Sequence, residues 1–169
     1  MDEKPTTDTD VVPPPTVEVS LDETRFTAKP EGGSKNRVSN AIARNRREIT
    51  LEELANLLTQ GCTFSPGVFR DNQRKNETWV QQQLFALDFD HGLRIGEFLE
   101  MCAALEVHPA FVYPSFSHTE ENQRFRAVFV NNAVVTDMRL RIFVQGLLMK
   151  LFSLPGAMGK EAAAKACSA

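Results

Sequence analysis

Residues 79–107 read "WVQQQLFALDFDHGLRIGEFLEMCAALEV", and the fold turns on how this stretch is divided. The unbroken apolar run Leu84-Phe85-Ala86-Leu87 is too short for a core helix and carries no turn residue, so it predicts a strand buried on both faces. "DHG" then marks a turn. Beyond it Ile95, Phe98, Leu99, Cys102 and Leu105 recur at helical spacing and predict a helix with one apolar face.

Working downstream, "AFVYPSFSH" predicts a second strand, and "RFRAVFV" a third by its alternation. Phe125, Ala127 and Phe129 share one face there, with Arg124, Arg126 and Val128 on the other. "TDMRLRIFVQGLLMKLF" predicts a long amphipathic helix capped by Thr136, with Met138, Ile142, Phe143, Leu147 and Leu151 inward. "KEAAAKACSA" favours helix by propensity. Strand, helix, strand, strand, helix predicts an α+β (two-layer α/β) sheet with helices packed on one face.

Upstream, "CTFSPGVFRDNQRKNETW" is turn-rich and reads as a loop or irregular edge. "TLEELANLLTQG" carries a capping box, Thr50 with Glu53, apolar residues at 51, 54, 57 and 58, and a closing Gly61. Residues 1–34 hold five of the nine prolines with several Thr and Asp, and are expected to form a disordered acidic tail, leaving residues 35–169 as the folded domain.

The composition is that of an ordinary globular chain: 42% hydrophobic and 24% charged over 169 residues. No window approaches the roughly 18–20 uncharged apolar residues of a bilayer span, and "MDEKPTTDTD" is not a secretory signal, so a cytoplasmic location without membrane partners is expected. Cys62, Cys102 and Cys167 form no CxxC pair, which argues against a disulfide framework and a zinc site. The net charge of −3 hides an asymmetry, because "SKNRVSNAIARNRR" carries Lys35, Arg37, Arg44, Arg46 and Arg47 without an acid. That segment is either a solvated face or a contact for nucleic-acid phosphates.

Asp88 and Asp90 occupy alternate positions of the strand, so both point to one face, roughly 6–7 Å apart at the backbone. Mutual repulsion at that spacing is offset most simply by a divalent cation, Mg²⁺ or Mn²⁺, since the ligands are hard carboxylates. The alternative is that one Asp caps the "DHG" turn and the other is solvated. His118 in "SFSH" is either a hydrogen-bonded structural residue or, with Ser115, Ser117 and Thr119, part of a phosphate site. Arg124 and Arg126 present two planar donors from one strand face, suited to triphosphate oxygens or else to solvent. As a set, these residues describe a metal-dependent site for a nucleoside triphosphate.

"QQQLFALDFDHG", "PAFVYPSFSHTEENQRFRAVFV" and the "VTD" before the long helix together resemble the archaeo-eukaryotic primase superfamily, in the primase-polymerase branch carried by phages, plasmids and other mobile elements. The similarity covers about residues 40–169, and the order of "TFSP", "SFSH" and "RFR" is similar to that branch in particular. Asp88 and Asp90 match its first motif, and Ser117 with His118 its second. The resemblance implies an RRM-like core and template-directed nucleotidyl transfer in replication of a mobile element. It also implies divalent metal on Asp88 and Asp90, nucleotide phosphates on Ser117, His118, Arg124 and Arg126, a single-stranded template touched by Arg44, Arg46 and Arg47, and a replicative helicase as partner.

The sequence departs from that pattern at the third motif. Ala164 stands where an acid is expected before Cys167, and Glu161 is out of register, so the chain is expected to be truncated at that end or catalytically degenerate. A degenerate chain would bind single-stranded DNA or a replication partner. "DFDHG" also resembles the nucleophile motif of haloacid-dehalogenase phosphatases, but His91 intrudes before Gly92, Leu93 follows it, and a doubly wound fold needs more strands.

Overall fold

A computed structural model describes residues 14–32 and 34–153. The central strand is β5 (Trp79–Phe89), and Leu84 to Leu87 are all buried, as the apolar run requires. It belongs to a four-stranded antiparallel sheet with β4 (Gly67–Phe69), β7 (Phe125–Val135) and β6 (Phe111–Pro114), in the order β4-β5-β7-β6. The helices α3 (Ile95–Leu105) and α4 (Met138–Leu151) follow β5 and β7. The run β5-α3-β6-β7-α4 is the first five elements of a βαββαβ unit, and β4 holds the remaining edge. The molecule is thus an α+β fold, with both helices on one face of an RRM-like sheet.

Side-chain alternation along β5 assigns its two faces. Phe85, Leu87 and Phe89 meet Phe125, Ala127 and Phe129 of β7, Phe98 and Cys102 of α3, and Leu148 and Met149 of α4. Phe98 centres this layer, with ring centroids 4.8 Å from Phe89, 5.4 Å from Phe125 and 5.1 Å from Phe152. Leu84, Ala86 and Val128 point the other way, into a second core.

That second core is built by the amino-terminal half: β1 (Thr16–Asp22), α1 (Ser34–Arg44), β2 (Arg46–Thr50), α2 (Leu51–Thr59) and β3 (Thr63–Ser65). Its strands form a three-stranded antiparallel sheet, order β2-β1-β3. Val17, Val19 and Leu21 of β1 pack on Ile49, Leu54, Leu58 and Phe64. Thr50 caps α2 as expected, the Glu53 N–H donating to Thr50 Oγ1 at 3.1 Å, but the return bond from the Thr50 N–H to the Glu53 side chain that would complete the box is not formed. Gly61, at φ +91°, closes the helix where a Cβ would stand 2.1 Å from the Phe26 carbonyl oxygen.

Four expectations are corrected, the first being that Leu99, expected on the apolar face of α3, is 46% exposed. The disordered tail over 1–34 and the domain start at 35 fail at Thr16–Asp22, which is the middle strand of a sheet; the strict alternation in "TVEVSLD" is a strand pattern that the flanking prolines masked. Residues 1–13 lie outside the described residues. On α4, Ile142, Phe143 and Leu147 are exposed, at 63%, 65% and 45%, while Leu148 and Met149 are buried. This helix carries apolar residues around most of its circumference, so periodicity could not choose the inward side. Asp137, rather than Thr136, caps it, accepting from Arg139 N–H at 2.7 Å. The Ala-rich segment with Glu161, Ala164 and Cys167 lies outside the described residues. No helix among the described residues is long and apolar enough to cross a membrane.

Two outcomes test this packing. Leu21 is fully buried, so Leu21→Ala should lose about 2–5 kcal/mol in urea unfolding, whereas a residue in a disordered tail would change nothing. Burial pushes the Cys102 thiol from an ordinary 9.0 up to about 11. An unfolded chain releases that proton first, so this contribution is complete below pH 9 and lost as pH rises through about 11, at no more than about 1.4 kcal/mol per pH unit. Cys102→Ala should flatten the alkaline decline in stability relative to the parent; parallel declines would refute the assignment.

Candidate functional site

Beyond Leu84, Ala86 and Val128 the cover of the second core ends, and the same sheet face continues as a polar end. Asp88 of β5 lies opposite Arg126 of β7, and Arg126 lies opposite Tyr113 of β6. Arg126 therefore sits between a carboxylate and a phenol on neighbouring strands. Its Nε and Nη2 donate to the two oxygens of Asp88 at 2.5 and 2.7 Å, and Nη1 lies 3.4 Å from Tyr113 Oη. Both side chains of the pair are about three-quarters covered, at 26% and 28% exposure. Burial alone would lower the Arg126 pKa, but Tyr113 and Asp88 outweigh it and raise it above the ordinary value. Burial likewise raises the Tyr113 phenol.

Asp90 stands one residue past the end of β5, half-buried, with no hydrogen bond or ion pair to the described residues. Continuing the register of Asp88 with Arg126 and Phe89 with Phe125 sets Asp90 opposite Arg124. Neither carboxylate caps the turn, which Gly92 closes at φ +81°. Asp88 is thus answered by Arg126 across the strands, a protein cation supplying for it the compensation that the sequence reading assigns to a metal, while Asp90 has no such partner among the described residues.

His118 lies in the β6–β7 connection, its Nδ1 3.2 Å from the Arg124 N–H and 3.1 Å from the Arg124 carbonyl. That carbonyl already accepts from the Ser115 N–H at 2.9 Å. The imidazole is anchored through Nδ1, and Nε2 has no partner among the described residues. Asn122, with its amide oxygen turned towards Arg124, accepts from Nε and Nη2 at 3.1 and 3.2 Å. Ser117 is exposed beside His118. Asp88, Asp90, Ser117, His118, Arg124 and Arg126 therefore belong to one end of one sheet.

The basic segment is distributed differently. Arg44 ends α1, while Arg46 and Arg47 lie on β2 and pair with Glu18 and Glu23. These are exposed pairs of small energetic worth, yet they show that the acidic and basic segments separated in sequence are matched in space. Arg44, Arg46 and Arg47 do not form one unpaired stripe.

Among the described residues no three His, Cys, Asp or Glu side chains come together as a metal cluster. A carboxylate offers about four lone-pair directions, and the Arg126 fork uses one on each Asp88 oxygen. The remaining directions and the unpartnered Asp90 fit Mg²⁺ or Mn²⁺, which is commonly held by one or two carboxylates plus substrate phosphates.

Sequence reasoning missed Tyr113, Arg74 and Arg141. Arg74 lies near Arg126 and Asp88 in charge space, and only the density of basic residues in "RDNQRK" hinted at it. No known protein family, curated protein or solved structure matches this chain.

If the fork matters for the fold as well as the site, the two acids must respond differently. Asp88→Asn should cost about 1–3 kcal/mol by loss of charge-assisted hydrogen bonds, and Asp90→Asn should stay within about 0.5 kcal/mol. Equal effects in chemical denaturation would contradict the geometry.

Proposed function

We propose that this chain is a nucleotidyltransferase domain of the primase-polymerase kind, extending nucleic acid on a single-stranded template in replication of a mobile element. The observation that carries the reading is that two carboxylates, two guanidiniums and an anchored imidazole lie at one end of an RRM-like sheet.

Asp88 and Asp90 would hold Mg²⁺ or Mn²⁺, which when bound supplies charge neutralisation and alignment of the phosphate under attack. Arg124 and Arg126 take up phosphate charge through planar donors. The free Nε2 of His118, held rigidly by the Arg124 backbone, donates to a phosphate oxygen, and Ser117 lies within the same loop. Arg126 has a second duty, since it positions Asp88 by gripping both oxygens. Template contacts fall to Arg44, and to Arg46 and Arg47 if nucleic acid displaces their glutamate partners. A replicative helicase is the corresponding partner, and the cytoplasm the corresponding location.

The Arg126 fork also supports a second reading, in which Asp88 is a structural partner and the domain binds single-stranded DNA without catalysis. Labelled nucleotide incorporation on a single-stranded template separates the two. The transferase reading expects Mg²⁺- or Mn²⁺-dependent product, reduced at least about 100-fold by Asp90→Ala and about tenfold by His118→Ala. Absence of product with both metals and both sugar types would sink it. Salt-sensitive DNA binding that persists in an Asp88→Ala, Asp90→Ala chain would then establish the second.

A further inference from the structure

Next to the polar sheet end lies a cavity of about 330 Å³, walled by the β3–β4 edge, the open edge of β5 and one side of α4. It exists because β4 pairs with β5 only as far as Gln82, leaving the β5 edge unpaired beyond it. Gln145 of α4 reaches that edge and donates from Nε2 to the Ala86 carbonyl at 3.1 Å. The helix is thereby held across the gap without filling it.

Arg74, Arg126 and Arg141 all line this cavity, and no acidic residue among the described residues does. Arg126 is matched by Asp88. Arg141 donates to Asn76 Oδ1 at 3.2 Å and stacks 5.3 Å from the centre of the Trp79 ring, both neutral partners. Arg74 has no hydrogen bond or ion pair among the described residues. Burial, then the neighbouring Arg126, lowers the Arg74 pKa against the opposing pull of Asp88, and burial lowers that of Arg141, as expected of partly buried cations with too little counter-charge. A fold that confines three guanidiniums around one small space, and neutralises only one of them, leaves that space suited to a compact polyanion.

We propose that this cavity is the subsite for the polyphosphate of a nucleoside triphosphate, with Arg74 and Arg141 as its charge-bearing ligands. The inference rests on the nucleotide reading of the sheet end and extends it to two residues outside that end. Arg126 joins the two places, because it lines the cavity and grips Asp88, so a polyphosphate seated there lies beside the Asp88 carboxylate. A compact, multiply charged tail satisfies two unmatched cations within one cavity, whereas a nucleic-acid strand spreads single charges along a groove.

Calorimetry on the full chain, with inorganic tripolyphosphate and then ATP in the absence of metal, tests the subsite independently of catalysis. Saturable binding is expected, weakened about tenfold by Arg74→Gln and similarly by Arg141→Gln, with thermal melts confirming that each variant is folded. Arg141→Lys, which keeps the charge on α4, should retain most of the affinity. Unchanged tripolyphosphate binding in folded Arg74→Gln overturns the proposal. So does a parent chain that binds single-stranded oligonucleotide through Arg74 but not tripolyphosphate, which would make the cavity part of a strand groove. If tripolyphosphate binds through Arg74 while no nucleotide is incorporated, the transferase reading fails and the subsite stands.

Discussion

A strand that is apolar on both faces demands two layers, and β5 imposes that demand on everything around it. One layer cannot cover both Phe85-Leu87-Phe89 and Leu84-Ala86, so α3 and α4 close the first face while the amino-terminal sheet and α2 close the second. Each buried aliphatic or aromatic side chain contributes on the order of 1.5–3 kcal/mol relative to exposure. The strand runs further than the second layer reaches, and where that layer stops, its inward positions become Asp88 and then Asp90. The site is the polar end of a strand whose middle organises both cores.

That geometry explains why the two acids are tolerable. Half-buried carboxylates facing the same way raise each other's energy unless counter-charge is close. β7 runs antiparallel to β5 and brings Arg126 into the position opposing Asp88, so the sheet register itself delivers the compensation for that acid. The paired residues are 38 apart in sequence, and no local pattern in either segment announces the pairing. A ligand that draws on Asp88 or Arg126 therefore acts on an interaction the fold already uses, whereas Asp90, Arg74 and the Nε2 of His118 stand free of such duties among the described residues.

Signals confined to one segment were the legible ones. The apolar run of β5, the cap of α2, the alternation of β7 and the helical spacing of Phe98 with Cys102 all survive in the structure, because each is decided by neighbours within a few residues. β1 was hidden by averaging: seven alternating residues sit beside a proline run, and composition judged the whole stretch. The inward side of α4 was undecidable from its own sequence, since Leu148 and Met149 compete with Phe143 and Leu147 in hydropathy and only the sheet beneath selects between them. For the site, Asp88, Asp90, His118, Arg124 and Arg126 could be named, but the fork between two of them could not, because it is a fact of register. Arg74 and Arg141 were invisible as a pair, lying 67 positions apart on a loop and a helix that only the fold brings to one cavity.

The difference between Asp88 and Asp90 bears on how such a site could work. Arg126 holds Asp88 in one orientation, which removes rotamer freedom before any ligand arrives and lowers the cost of ordering it on binding. The same grip weakens Asp88 as a donor to a cation, since part of its charge is already answered. Asp90 has the opposite character, with no donor or cation on its carboxylate among the described residues. Under the proposed reading, a cation shared between them would be positioned by the first and bound chiefly through the second, and phosphate charge would fall to Arg74, Arg124, Arg126 and Arg141. Substituting Arg126 would then disturb orientation more than charge, because the carboxylate it releases is a stronger but less ordered ligand.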